Sequence, residues 1–93
     1  MIQILMIADD FTGALDTGVQ LASTGAKTRV IASSSADLRE SSHGAEVLVV
    51  DAETRHLPPE RAFEVVAGIT RQAIRLGIPH IYKKTDSPAG RNR

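Results

Sequence analysis

The stretch Ile4-Leu-Met-Ile-Ala-Asp-Asp-Phe-Thr-Gly-Ala-Leu-Asp-Thr-Gly18 decides the fold. It completes an apolar run over residues 2–8, interrupted only by Gln3, which is typical of a strand buried on both faces of a parallel sheet. Two adjacent carboxylates, Asp9 and Asp10, end that run. Apolar residues then recur at helical spacing: Leu15, Val19 and Ala22. The stretch therefore predicts a strand, an acidic turn and a helix.

The acidic turn has two interpretations. On the first, Asp10 or Thr12 is simply the N-cap of the helix and accepts hydrogen bonds from its free N–H groups. Only one residue can cap, however, and adjacent like charges cost free energy unless a cation, a donor-rich ligand or solvent offsets them. Ligands of open α/β sheets bind at the carboxyl ends of the strands, where this turn stands. The position favours a functional role for Asp9 and Asp10.

Composition excludes several classes of partner. The 93 residues fit one small domain or a piece of a larger protein, and 11 basic residues balance 11 acidic ones. Such a balance attracts neither nucleic acid nor anionic lipid, and the scarcity of aromatic residues gives bases little to stack on. Without cysteine there is no disulfide or thiolate metal site, and no residue is assigned to a metal. No signal peptide or membrane-spanning run is visible, so we expect a cytoplasmic protein.

The rest of the chain alternates strands and helices. Gly25 and Gly77 are placed to end the two helices, and Pro58-Pro59 is placed to begin the second one. The second helix carries an apolar stripe that we expect to cover one face of the sheet: Phe63, Val66, Ile69, Ala73 and Leu76. The pattern predicts an α/β fold with a parallel sheet of about four strands and flanking helices in three layers. Strands are expected near 2–8, 27–32 (the more polar one, nearer the edge), 46–51 and 79–83, helices near 13–24 and 59–76, a weak helical turn within 36–42, and an irregular tail over 88–93.

Polar groups follow three of the predicted strands. They are Asp9-Asp10, the segment Asp51 to Arg55, and the segment Lys84 to Ser87. The carboxyl ends of parallel strands share one edge, so these groups should surround one crevice. Arg55 can hold a carboxylate bidentately, Lys84 adds a point charge, and the aspartates accept from hydroxyls, a combination suited to a small hydroxylated anion. The alternatives are that Arg55 and the neighbouring His56 are solvated loop residues, and that Asp86-Ser87 is a plain turn before Pro88.

A signalling receiver domain is a rival interpretation. The acidic pair would then hold Mg²⁺, Asp51 would accept a phosphoryl group and Lys84 would contact it. The spacing argues against it, because the lysine of receivers follows the fifth strand, whereas here one βα unit separates Asp51 from Lys84. The Thr-Gly after the acidic pair also has no role in a receiver.

Three motifs together resemble a known family. The segments Ile7-Ala-Asp-Asp-Phe-Thr-Gly-Ala-Leu-Asp-Thr-Gly18, Asp51-Ala-Glu-Thr-Arg55 and Tyr82-Lys-Lys-Thr-Asp-Ser87 are similar to the N-terminal substrate-binding domain of four-carbon acid sugar kinases. Those enzymes use ATP and Mg²⁺ to phosphorylate threonate, erythronate or oxo-tetronate. The resemblance runs along residues 1–87 and implies a set of substrate-binding residues: Asp10, Arg55, Lys84, Thr85, Asp86 and Ser87, with Asp9 and Thr12 as further candidates. Asp16 is also a member of the first motif.

Two departures from the family pattern shape the expectation. The family continues its Asp-Ser motif with Thr-Leu-Arg-Gly-Asn, whereas this chain reads Pro88-Ala-Gly-Arg-Asn92, so Arg91 has no counterpart in register. The large C-terminal domain that carries the ATP site in the family is also missing, and no glycine-rich phosphate loop occurs. We therefore expect 1–93 to be a single truncated substrate-binding domain that is inactive alone. Because the last strand has no element after it to shield the sheet, we also expect a homo-oligomer.

Overall fold

The computed structural model describes residues 2–32, 38 and 44–84. In these ranges the chain forms four strands and two α-helices, in the order predicted. Their bounds are β1 Ile4–Ala8, α1 Phe11–Ala22, β2 Thr28–Ala32, β3 Val47–Asp51, α2 Pro59–Arg75 and β4 His80–Lys84. The predicted helical turn within 36–42 falls outside the described residues except for Leu38, which is buried, and the predicted tail over 88–93 lies outside them altogether.

The four strands form one parallel sheet in the order β2-β3-β1-β4. Strand β2 lies at one edge, as its polar sequence predicted, and the two most apolar strands lie in the middle. Ala8 at the end of β1 is in register with Asp51 of β3 on one side and with Lys84 of β4 on the other. The turns that follow these strands therefore start from neighbouring points on one edge of the sheet. The predicted parallel α/β fold is confirmed.

Two hydrophobic clusters lie on opposite sides of the sheet. The α2 face has the larger one, in which Leu5 and Val50 pack with Ile69 of α2. The α1 face has a smaller one, in which Ala8 and Val49 pack with Ala14 of α1. Successive strand residues alternate between the two clusters, as the pleat requires. The sheet is thus covered on both sides, which confirms the three layers.

Helix α1 begins at residue 11, two residues before the predicted start, because the Asp10 side chain caps it. The predicted apolar stripe of this helix does not face the core. Leu15 is 42% exposed and Val19 67% exposed, whereas Ala14 and Gly18 are buried. Small residues face the sheet because α1 lies very close to it: a Cβ on Gly18 would stand 2.6 Å from Val30 Cγ2.

Helix α2 follows the sequence prediction more closely. Pro58 is its N-cap residue, and the chain leaves the helix through Gly77, whose φ of +74° suits glycine at this position. Ile69 and Ala73 of the predicted stripe are buried, whereas Phe63 is 74% exposed. The expectation for Phe63 was wrong because this residue lies in the first turns of the helix, beside a cavity at the carboxyl edge of the sheet.

Candidate functional site

The candidate site is a cavity at the carboxyl edge of the sheet. It has a volume of about 160 Å³ and lies between the end of β1, the first turns of α1 and the turn after β3. Its walls are formed by Ala8, Asp9, Asp10, Thr12, Gly13, Asp16 and Arg55. Six of these seven residues belong to the stretch Ile4 to Gly18, and Arg55 comes from the turn that β3 brings alongside.

Asp10 performs two tasks at once. Its Oδ1 accepts a hydrogen bond of 2.7 Å from the Gly13 N–H, which caps α1, and its Oδ2 lies 2.5 Å from Arg55 Nη1. The cap leaves little room beside it, since a Cβ on Gly13 would stand 3.0 Å from Asp10 Oδ1. Capping and pairing are therefore not alternatives here, because each uses a different oxygen of the same carboxylate.

Asp9 has a cation of its own. Its Oδ1 lies 2.6 Å from Lys83 Nζ and accepts a 3.2 Å hydrogen bond from the Thr54 hydroxyl. The Asp9 side chain is only 15% exposed, so solvent shields this carboxylate less than it would shield one on the open surface. The cost of two adjacent carboxylates is thus offset by two separate basic residues, Lys83 for Asp9 and Arg55 for Asp10.

The turn after β3 holds Arg55 in place. Asp51 is 2% exposed, and its Oδ1 accepts a 3.0 Å hydrogen bond from the Glu53 N–H. Two backbone hydrogen bonds join the turn to the end of β1: Ala52 N–H donates to the Ala8 carbonyl at 2.8 Å, and Thr54 N–H donates to the Asp9 carbonyl at 2.9 Å. These bonds fix the path of the chain up to Arg55.

Glu53 has an unusual backbone conformation and lies close to other carboxylates. Its φ of +55° lies in the left-handed region that residues with a side chain rarely occupy. A hydrogen bond to the Asp51 carboxyl and the negative charge of that group raise the pKa of Glu53 above its ordinary value of 4.5, with a smaller contribution from Asp10. His56 acts in the opposite direction. The carboxylates around this turn therefore oppose the ionisation of Glu53.

Two further cavities adjoin the first. One of about 410 Å³ lies on the α2 side of the sheet edge, lined by Asp9, Thr54, Arg55, Ala62, Phe63, Val66 and Lys83. The other, of about 200 Å³, is lined by Asp9, Asp10, Glu53, Arg55 and His56. Asp9 and Arg55 line all three cavities. These two side chains are therefore shared by the three cavities.

The structure brings together half of the predicted site residues. Asp10 and Arg55 are in contact, and the further candidates Asp9 and Thr12 line the same cavity. The backbone of Lys84 stands beside Ala8 at the end of β4. The predictions for Thr85, Asp86 and Ser87 fall outside the described residues and stay predictions.

Two residues of the cavity region were not in the predicted set. Asp16 lines the cavity one helical turn beyond Thr12. Lys83 contacts Asp9, whereas the sequence analysis chose its neighbour Lys84. The alternation of side chains along β4 distinguishes the two lysines. Ile81 packs on the α2-face cluster, and Lys83, two positions on, points to the same side.

Comparison with known proteins identifies the family. The profile described as "Sugar-binding N-terminal domain" matches residues 4–90. The chain belongs to this family. The chain is 43% identical over 86 residues to a D-threonate kinase of Salmonella typhimurium, and 37% identical over 71 residues to a D-erythronate kinase of Heliobacterium modesticaldum. A D-threonate kinase of Bordetella bronchiseptica is 34% identical over 84 residues.

These relatives are much longer than the sugar-binding domain described above. The alignments cover 91%, 76% and 88% of this chain, but only 20%, 16% and 21% of the three relatives. The chain thus spans about a fifth of the length of the curated relatives it matches. No solved structure matches it significantly.

Two other findings bear on the remaining expectations. Within residues 2–32, 38 and 44–84, no helix is long and apolar enough to cross a membrane.

The receiver interpretation requires an accessible acceptor carboxylate, yet Asp51 is 2% exposed and accepts a hydrogen bond from the Glu53 N–H. Nothing here favours that alternative, and it stays a prediction.

Proposed function

We propose that this chain is the substrate-binding part of an ATP-dependent kinase of four-carbon acid sugars, with threonate, erythronate or oxo-tetronate as the ligand. The observation that carries the proposal is the cavity in which an arginine and a pair of aspartates meet at the end of β1. The names of the relatives, D-threonate kinase and D-erythronate kinase, supply the class of ligand.

The size of the cavity supports a small ligand. Its volume of about 160 Å³ is well below the range of roughly 300–1,000 Å³ typical of sites for drug-sized molecules. Five of its seven lining residues are polar or charged, so a ligand with several hydrogen-bonding groups suits it. A short chain that bears hydroxyls and a carboxylate meets both requirements.

The chemistry of the walls suits the two kinds of group on such a ligand. The Arg55 guanidinium has five N–H donors in a planar fork, so it can bind a ligand carboxylate beside its contact with Asp10. Asp10 and Thr12 offer oxygen atoms that accept from ligand hydroxyls. In the proposal, Lys84, Thr85, Asp86 and Ser87 complete the site from the end of β4, as the family motif implies.

Phosphoryl transfer needs groups beyond this cavity. In kinases Mg²⁺ and a phosphate-binding loop neutralise the transferred phosphoryl group, and the sequence of this chain contains no glycine-rich phosphate loop. ATP and Mg²⁺ therefore belong to the proposed activity, whereas the role assigned to these residues is to bind and orient the acid. We expect the purified chain alone to bind a four-carbon acid without phosphorylating it, and a coupled assay for ADP release checks the second point.

An NMR titration of the chain with threonate and erythronate tests the binding. For the 93 residues tested by themselves, the affinity should be millimolar, or about −4 kcal/mol. Shift changes should cluster at residues 9–13, 52–56 and 84–87. Arg55→Gln should weaken binding by about 1.5–3 kcal/mol, the scale of hydrogen bonds to charged groups.

The matched control is Arg61→Gln, which removes an exposed arginine whose Nε lies 3.8 Å from Glu64. It should leave the affinity unchanged. Four-carbon acids that lack one hydroxyl should bind more weakly than their size implies, because a polar group of the site is then left unpaired. A folded chain that shows no shift changes in these three segments would refute the proposal.

Association and location are the remaining parts of the proposal. Helix α1 exposes an apolar stripe of Phe11, Leu15 and Val19, which supports a homo-oligomer because such patches mark interaction surfaces. A monomeric mass by light scattering at high micromolar concentration would count against it. ATP-dependent phosphorylation also implies a compartment that supplies ATP, for which we propose the cytoplasm.

A further inference from the structure

We infer that Lys83 is a positioning residue that admits an anionic ligand to the candidate site by neutralising Asp9. Lys83 is not among the residues that line the 160 Å³ cavity. Its ammonium reaches Asp9 from the 410 Å³ cavity on the α2 side of the sheet edge. This inference rests on the proposed function, since it concerns the charge that the acid meets.

The need for such a residue follows from the charges on the cavity wall. Of the described side chains that line the cavity, Asp9, Asp10 and Asp16 are acidic and Arg55 is basic. A ligand carboxylate that enters there approaches more negative than positive charge. Unit charges about 4 Å apart interact strongly wherever solvent screens them poorly, so each unneutralised carboxylate lowers the affinity for an anion.

Each of the two adjacent carboxylates is neutralised by a different basic residue. Arg55 lies 2.5 Å from Asp10 and has further N–H donors for a ligand. Lys83 Nζ lies 2.6 Å from Asp9 Oδ1, within reach of a charge-assisted hydrogen bond. Without Lys83, Asp9 would compete for the positive charge of Arg55, which would then be less available to the ligand.

In the Lys83–Asp9 pair the ammonium is exposed, whereas the carboxylate is largely shielded from solvent. Exposed pairs contribute little because water and salt screen both partners. Here the Asp9 side chain is 15% exposed and that of Lys83 is 36% exposed, and the Thr54 hydroxyl donates to the same Asp9 oxygen. Asp9 also lines all three cavities, so its charge is felt wherever a ligand approaches Arg55.

A double-mutant cycle with a charged and a neutral ligand tests the inference. The variants are Lys83→Met, Asp9→Asn and the double variant, and the ligands are threonate and the neutral polyol threitol. Lys83→Met should weaken threonate binding by about tenfold, as expected for one partly screened charge, and change threitol binding by less than about twofold. The double variant should bind threonate several-fold more tightly than Lys83→Met does, because the uncompensated carboxylate is gone.

Lys27→Met is the matched control. It removes a lysine just before β2, at the opposite edge of the sheet, and should leave the affinity for both ligands unchanged. Equal weakening of threonate in Lys83→Met and in the double variant would overturn the inference, since it would mean that the ammonium contacts the ligand itself. Unchanged threonate binding in Lys83→Met would overturn it as well.

A second measurement needs no bound ligand. Paired anionic and cationic nitroxide probes, added to the solution, report the electrostatic potential at the Gly13 amide through its paramagnetic relaxation. In Lys83→Met the anionic probe should relax this amide less, and in the double variant its effect should return. If the chain binds no four-carbon acid, the proposed function fails, and the Lys83 inference is then decided by this measurement. An unchanged potential at Gly13 would refute it.

Discussion

The two faces of the sheet are packed in opposite ways. On the α2 face, large side chains such as Leu48 and Val50 meet Ile69 of the helix. On the α1 face, the helix buries the small residues Ala14 and Gly18 and exposes Phe11, Leu15 and Val19. The α2 face follows the usual design of an amphipathic helix, and the α1 face reverses it.

The two faces therefore differ in what they contribute: one mainly stabilises the fold, and the other positions the residues of the site. The α2 face removes more apolar surface from water, so it should supply more of the free energy of folding. The α1 face instead brings a helix very close to the sheet, which places the first turn of α1 and its cap beside the acidic pair. We infer that the α1 face is built for precision at the site, and four experiments test this contrast.

The largest effect is expected from one substitution made on each face. Val49 and Val50 are adjacent, fully buried and oriented to opposite sides. Val50→Ala should cost about 2–3 kcal/mol, because removing two methyl groups leaves a cavity among large side chains. Val49→Ala should cost about 1 kcal/mol less, since its neighbours are smaller. Urea unfolding measures both values, and equal losses would remove the proposed difference between the faces.

Gly18→Ala tests the close approach of α1. Alanine favours a helix over glycine by about 1 kcal/mol, but its Cβ would stand 2.6 Å from Val30 Cγ2, whose χ1 is stiff. Overpacking of this kind costs about 1–3 kcal/mol, so we expect a net loss of stability of about 1 kcal/mol. The double variant with Val30→Ala should recover part of it. A stabilised single variant would show that the helix is not held so closely.

Asp10→Ala tests whether precision at the site depends on the cap. The substitution should lower the free energy of unfolding by about 0.5–2 kcal/mol, because the Gly13 N–H loses its acceptor. It should also weaken acid binding by about 1.5–3 kcal/mol, because the ligand loses a charged hydrogen-bond acceptor. Asp10→Asn keeps the capping oxygen and is the control: its stability should stay close to that of the wild type while its affinity falls. Equal stability losses in both variants would contradict the capping role.

The smallest effect is expected at Glu53, on the turn that faces the acidic pair. Its pKa is raised in the folded state, so folding is penalised increasingly as pH rises through 4.5 and up to the raised value. Glu53→Gln should therefore unfold like the wild type near about pH 4 and be slightly more stable near about pH 7. Thermal unfolding at both pH values measures this. Glu64→Gln, on the exposed side of α2, is the control for the loss of a surface negative charge.

The elements of the fold could be predicted from sequence because each signal is local. The run before Asp9 predicts a buried strand, the prolines at 58 and 59 mark a helix start, and Gly77 marks its end. The order β2-β3-β1-β4 could not be predicted in the same way, since it depends on which strands pair across long separations in the chain. The outward orientation of Leu15 was missed for a related reason. Spacing predicts a stripe of apolar residues, but the face that packs depends on how close the sheet lies.

At the site, residue types were easier to predict than contacts. Asp10 and Arg55 were expected near each other, and the structure joins them. Lys83 was missed because two adjacent lysines offer the same chemistry, and only the pleat of β4 distinguishes them. The two-fold role of Asp10 was also missed, because the sequence interpretations set a helix cap against a functional role although a carboxylate has two oxygens.

The hydrogen bonds that join the turn after β3 to the end of β1 also make the opening of the site measurable. Thr54 N–H donates to the Asp9 carbonyl and Ala52 N–H to the Ala8 carbonyl, so neither amide can exchange its proton with water until the two turns part. Amide exchange at these two positions therefore reports how often the turn that leads to Arg55 separates from the turn that carries Asp9, whether or not any ligand is present. The exchange rates of these two amide protons therefore measure how long the two turns that frame the site stay together.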